Sequence, residues 1–252
     1  MRPAAGVLLL GLAGCQGMLP PLRGEIEPGR DPFVVFVGGK ARAGGDLFAV
    51  PAAGGTALPI TYSGVGEMRP ALAPDGSALA FLRGASLRDS APGTIWVMNL
   101  LSGNERQLRL PRGSPGPEEV AWMDGGGSIV VRAGDGLYRF KAPPASGPAE
   151  PVPPPERAQA ESALAVLLGA PAFARATPCH DAEDLCVVAD SGAPALLARG
   201  ARDAARWGDD SVAYVVGEVI LVRPLGPGRE RRVPVSGGPA SPRQITVFPG
   251  KR

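Results

Sequence analysis

The chain has 252 residues, of which 44% are hydrophobic and 20% charged, and a formal net charge of +2. That balance argues against a nucleic-acid partner, which calls for a basic stripe, and the length suits one large domain with its own core. The 36 glycines and 29 prolines border on the composition of low-complexity protein. Most of them, however, separate apolar runs of strand length, where turns require them.

In chain order the first signal is an address. Arg2 precedes an apolar run over residues 7–12, too short to span a bilayer and proportioned like a signal-peptide core. It leads into Leu12-Ala13-Gly14-Cys15, which resembles the lipobox of bacterial lipoproteins; the alternative is an ordinary signal peptide with a chance cysteine. The resemblance implies cleavage after residue 14, lipid on Cys15, and, with Gln16 rather than aspartate next, sorting to the outer membrane facing the periplasm. Loss of Arg2 lowers the net charge to +1. Residues 16–30, with Pro20, Pro21 and Pro28 and no periodicity, read with Cys15 as a lipidated tether (15–30), and 31–252 as one domain.

That domain reads as all-β. Residues 69–110 form one four-strand unit: Pro74-Asp75-Gly76 separates two apolar runs and Ser102-Gly103-Asn104 a third from a fourth, as hairpin turns do. Second strands are expected at 33–37, 78–82, 128–132, 172–176 and 211–216, and third strands at 46–50, 94–98, 136–140, 184–188 and 218–222. A period of about 40 to 50 residues is the mark of a β-propeller of four-stranded antiparallel blades. First strands bring Leu72, Trp122 and Trp207 to equivalent places, with Leu164 as a fourth. Residues 156–168 are rich in helix formers, so a short helix competes there. Fourth strands carry charge or proline (105–108, 150–155, 231–234), devices that protect an outer edge. The first blade lacks a first strand, and 244–248 is a strand without a blade; the last strand is therefore expected to complete the first blade and close a ring of five. A sixth blade requires splitting residues 143–162.

With Cys15 assigned to lipid, Cys179 and Cys186 remain as an even pair flanking the polar stretch 180–185. A hairpin there could set them opposite each other, and a disulfide is permitted outside the cytoplasm. The rival, a metal site of Cys179, His180, Asp181 and Cys186, matches no zinc spacing.

Ala73-Pro74-Asp75-Gly76 with the strand to Phe81, then Trp96-Val97-Met98-Asn99-Leu100 with Ser102-Gly103, resemble the repeat of TolB-type propellers. Residues 46–50 followed by Gly54-Gly55, and 184–189 followed by Ser191-Gly192, resemble its second half. The likeness covers about 31–200. Leu72 stands where the family has tryptophan, and TolB's separate amino-terminal domain has no counterpart. The resemblance implies the propeller fold and an envelope setting.

No catalytic constellation stands out. Asp75, Asn99, Asp124, Asp190 and Asp210 read as turn residues bonding their own backbone, the single histidine is His180, and neither a G-x-S-x-G elbow nor a calcium loop is present. No metal or cofactor is implied. The longer connections, 38–45, 63–69, 84–93, 111–119 and the Cys179 loop, are expected on one rim, where recognition usually resides. Lys40, Arg42, Arg83, Arg88, Asp89, Glu118 and Arg206 are its candidate binding residues, with solvated loop charge as the plain alternative. The sequence thus points to a lipid-anchored, non-catalytic envelope propeller that binds proteins or senses. The other readings are a carbohydrate or peptidoglycan-fragment binder using the axial pocket, and a glycosidase, which would need carboxylates gathered on the axis.

Overall fold

The computed structural model describes residues 22, 24–39, 45–62, 65–84, 93–143, 147–165, 175–179, 181–188, 195–239 and 241–251. The chain folds into consecutive antiparallel sheets. The first contains β1 (Phe33–Gly38), β2 (Asp46–Pro51) and, beyond the short β3 (Gly55–Thr56), β4 (Leu58–Pro59). The second is β5 (Gly66–Leu72), β6 (Ala78–Gly84), β7 (Thr94–Asn99) and β8 (Glu105–Leu108). The third is β9 (Glu119–Met123), β10 (Ser128–Ala133), β11 (Gly136–Lys141) and β12 (Glu150–Pro151), followed by a helix, α1 (Arg157–Ala165). In the fourth sheet β13 (Arg175–Cys179), β14 (Asp181–Val188) and β15 (Ala195–Ala198) are described, and the fifth is β16 (Ala201–Trp207), β17 (Ser211–Val216), β18 (Val219–Pro224) and β19 (Arg231–Val233). Then β20 (Val235–Ser236) pairs in parallel with β3, and β21 (Arg243–Phe248) returns to pair with β1. The first sheet therefore has the order β21-β1-β2-β4, and the last strand completes the first blade as its sequence suggests.

The burial pattern explains why middle strands are apolar throughout. All six residues of β1 are buried. Phe33, Val35 and Val37 pack with Leu79, Phe81 and Met98 of the second sheet, whereas Val34 and Phe36 pack with Ala213, Val215 and Ile220 of the fifth. A strand covered on both faces has no polar alternation to show. Equivalent apolar layers join the second and third sheets (Leu82, Ile95, Val97 against Val120, Ile129, Val131) and the fourth and fifth (Leu185 against Val212 and Tyr214). This face-to-face succession of blades is the β-propeller architecture.

Several sequence expectations are corrected. Leu164 lies in α1, where it and Ala160 cover Met123, Val130 and Leu137 on the face of the third sheet turned away from the second. It supplies no first strand, because the helix formers at 157–165 follow Pro153 and Pro154, which set the chain for a helical start. Only Glu150–Pro151 of the proline-rich stretch pairs in the sheet, and the described part of 143–162 forms no sixth blade. The stretch after Cys179 is strand rather than loop: β14 takes in Asp181 to Val188, with its backbone paired to β13. Residues 22–30 are no free tether either. Leu22 and Ile26 are buried with Leu72, Leu79, Met98, Leu100 and Phe248, because two apolar side chains in that segment gain more from the core than from water.

The turns follow their sequence. Asp75 accepts hydrogen bonds from the Ser77 N–H and hydroxyl, and Asn99 Oδ1 accepts from the N–H groups of Leu101 and Ser102. Gly76 has φ +70°, and a Cβ there would lie 2.7 Å from the Phe248 ring. Gly113 has φ +86° with nothing within 4 Å. Gly113→Ala is expected to cost only the left-handed strain, about 1 kcal/mol. Gly76→Ala adds displacement of Phe248, about 1–3 kcal/mol more; urea unfolding of the two variants measures the difference.

Candidate functional site

β16, β21, β5 and β9 lie side by side and form the innermost strands. Three carry the same distortion. Pairing skips between Met68 and Ala71 in β5, between Arg202 and Ala205 in β16, and between Arg243 and Thr246 in β21. The residue after the first of each pair is left-handed: Arg69 (φ 53°), Asp203 (φ 51°) and Gln244 (φ 49°). An extra residue at one point of an edge strand sharpens its twist and re-aims side chains. Here the consequence is visible, because the Arg69 N–H donates to Gln244 Oε1 at 2.7 Å and the Leu72 N–H to the Thr246 hydroxyl at 3.2 Å. Side chains of the first blade thus satisfy the open backbone edge of the second. Trp122 does the same one blade on, donating its indole N–H to the Ala71 carbonyl at 2.8 Å.

Two rims follow from the strand directions: a turn rim with the hairpins at Asp75, Asn99, Asp124 and Asp210, and a loop rim with the connections after Gly84 and Leu108. At the turn rim the inner strands open into a cleft of about 340 Å³, lined by Leu72, Arg206, Asp209, Thr246 and Val247 among others. A second cleft on that rim, about 400 Å³, lies between the second and third blades and is lined by Asp75, Asn99, Asn104, Arg106 and Trp122 among others.

The sequence-derived rim residues separate accordingly. Lys40, Arg42, Arg88 and Asp89 lie outside the described residues, as does the turn residue Asp190. Glu118 is exposed on the loop rim. Arg206 is on the opposite, turn rim, paired with Asp209 and donating to the Gly208 carbonyl. By register Arg206, not Trp207, occupies in β16 the place that Leu72 has in β5, and Trp207 packs toward the first blade. Arg83 is engaged inside the fold. It contacts Glu67 at 2.9 Å and Glu105 at 2.7 Å and lies 4.5 Å over the Trp96 ring. Burial works against its charge, but Glu105 and Glu67 outweigh it and raise its pKa. Glu67 is 1% exposed and also accepts from the Thr61 hydroxyl at 2.8 Å, which in turn accepts from the Leu47 N–H. This chain of bonds joins the first and second blades.

Other charges are engaged in the same manner. Arg132 pairs with Glu119 and Glu161, tying α1 to the third sheet, and its hydrogen bond, then its charge, hold the Glu161 carboxyl below the usual range. Arg139 pairs with Glu150 and Glu156. Among the described residues no three His, Cys, Asp or Glu side chains are grouped to hold a metal. Cys186 is buried and disulfide-bonded; Thr177 is its register partner, and the Cys179 side chain and His180 lie outside what is described. The inner-strand bulges and the buried Glu67 are absent from the sequence reading. Only Pro70 within β5 signals one bulge, since strand proline is confined to edges and bulges.

No family model matches this chain, and no curated protein matches it. Among solved structures it is similar to TolB from Acinetobacter baumannii, at 12% identity and TM-score 0.39, over 86% of this chain and 66% of that one. It is similar to a protein described as TolB from Agrobacterium tumefaciens (12%, TM-score 0.34, 75% of this chain and 56% of that one). A third is described as a 6-phosphogluconolactonase from Bacteroides fragilis (14%, TM-score 0.32, 81% and 67%). This chain spans less than two thirds of the length of the two TolB chains. The fold stands on the sheets and registers above, and function is not read from likenesses of this degree.

Tyr214 is 1% exposed and donates to Glu230. Burial, then the hydrogen bond to Glu230 and its negative charge, push the phenol up to about 12. Below pH 10 this contribution to stability is intact; as pH rises toward 12 the unfolded chain loses the proton first and stability falls. Absorbance titration is expected to show a late tyrosine ionisation that is missing in Tyr214→Phe.

Proposed function

We propose that this protein is a non-catalytic recognition scaffold of the bacterial cell envelope, lipid-anchored through Cys15 at the outer membrane and facing the periplasm, and that it binds envelope proteins. The observation that carries the reading is where the titratable groups are used: Arg83, Glu67 and Glu105, then Arg132, Glu119 and Glu161, then Arg206 and Asp209, form structural pairs. Such pairs brace strands, turns and the helix within a blade, with Thr61 linking Glu67 to the first blade, and leave surface shape as the functional property.

The anchor reading gains a direction from residues 22–30. An added Cβ on Gly29 would meet the Asp75 carbonyl at 3.2 Å, and the Lys251 N–H donates to the Arg30 carbonyl, so this segment runs beneath the turn rim. Between Cys15 and Leu22 only six residues remain, at most about 20 Å when extended. The lipid then holds the turn rim toward the bilayer and the loop rim, with Glu118, toward partners. No helix among the described residues is long and apolar enough to cross a membrane.

A carbohydrate reading is favoured by the 400 Å³ cleft, which the half-buried Trp122 lines together with Asn99 and Asn104, an aromatic side chain among polar ones.

In-cell crosslinking of the tagged protein is expected to recover the same envelope proteins from the wild type and lose them in Cys15→Ala. Recovery unchanged in that variant overturns the anchored reading, and recovery of no protein above it shifts the function to a small ligand. Assigning lipid to Cys15 leaves Cys179 as the partner of Cys186. Peptide mapping without reduction is expected to find those two linked, and a free Cys179 thiol overturns the pairing.

A further inference from the structure

Seven described arginines are neither buried nor fully exposed: Arg69, Arg83, Arg106, Arg132, Arg139, Arg206 and Arg243. Five of them have partners: Arg83, Arg132, Arg139 and Arg206 in ion pairs, and Arg106 in a further contact. The guanidinium groups of Arg69 and Arg243 have none among the described residues. Arg243 Nε is moreover the one fully covered side-chain nitrogen or oxygen without a hydrogen-bond partner among the described residues. A covered donor with nothing to donate to costs about 1–3 kcal/mol and calls for an explanation.

The two unpaired cations are neighbours in the fold. Arg243 opens β21 and precedes Gln244, whose Oε1 accepts the Arg69 N–H at 2.7 Å. Both therefore lie on adjoining inner strands, at the two bulges. The left-handed backbone of Arg69 is not the argument, because Asp203 and Gln244 share it. The argument is that Gln244 is bonded and Asp203 is engaged, while Arg69 and Arg243 are not. We propose that Arg69 and Arg243 together hold an oxyanion, a carboxylate or a phosphoryl group, at the axis of the propeller between the first and second blades. Two guanidinium groups present paired N–H donors that match the two oxygens of such a group, and the anion supplies the acceptor that Arg243 Nε lacks. The inference is independent of the anchor and of the protein partners.

Register supplies variants that fit the fold. Met68 holds in β5 the place of Arg243, and Gln244 holds in β21 that of Arg69, so Arg243→Met and Arg69→Gln each copy a neighbouring blade. The experiment is calorimetric titration of the full-length protein in detergent with inorganic phosphate and, separately, succinate, at ionic strength balanced with chloride. The expected result is binding of at least one of them, weakened tenfold or more in either variant and unchanged in the exposed Arg229→Gln. Phosphate binding alone makes the ligand a phosphoryl compound; succinate binding makes it a carboxylate. Arg69→Lys and Arg243→Lys, which keep the charge, are expected to fall between wild type and the neutral variants, and they carry the test if a neutral variant does not fold. Absence of binding by both anions, or binding that survives both substitutions, overturns the proposal.

Discussion

The first blade of this protein depends on a neighbouring blade at each face, and β1 shows why. Its six residues are buried, its edges are paired to β2 and β21, and its two faces are covered by the second and fifth sheets. A single sheet of this composition would expose an apolar face of the kind that drives association. The start and end of the domain are therefore interdependent: β21 supplies the inner strand of the first blade, β20 runs beside β3, and Arg231 reaches the Ala52 carbonyl while lying over Trp207. Leu22 and Ile26 extend the same logic to the segment before the first blade, whose side chains complete the layer around Phe248.

Between the apolar layers, charge is placed where it braces a blade from within, and one chain of bonds reaches across to the neighbouring blade. Glu67 is covered from water yet satisfied on several sides by Thr61, Arg83 and the Gly45 carbonyl, which accepts its N–H. A buried carboxylate is tolerated only with such partners. The outer pairs of Arg132 and Arg139 hold α1 and the 3-10 turn before it to the third sheet, as Arg83 joins strands within the second. Against that background an arginine without a partner among the described residues is conspicuous, and Arg69 and Arg243 are two such arginines on adjoining inner strands.

Much of the fold was legible residue by residue. Pro74-Asp75-Gly76 and Asn99 to Asn104 announced their hairpins because Asx side chains and left-handed glycine act locally. The charge of Arg231 and Arg232 and the prolines near Glu150 announced edge strands for the same reason. Leu164 and the polar stretch after Cys179 misled because their fates depend on distant partners. The helix at 157–165 is held by the face of the third sheet, and Asp181 to Val188 is strand through its pairing with β13. The candidate rim fared similarly: the sign of Arg83 and Arg206 was readable, but their pairing with Glu67, Glu105 and Asp209 was not.

The amino-acid order by itself determined the strand runs, the turns between them, the repeat of about 40 to 50 residues and the match between an unpaired last strand and an incomplete first blade. These are properties of near neighbours and of periodic burial. Tertiary structure alone decided which inner-strand residues meet, that Gln244 and Thr246 cap the open edge of β5, that Glu67 is enclosed, and that Arg69 and Arg243 sit on adjoining strands with the Arg243 Nε unsatisfied among the described residues. Those contacts join residues about 175 positions apart, and a one-residue bulge sets their register, which no local pattern records.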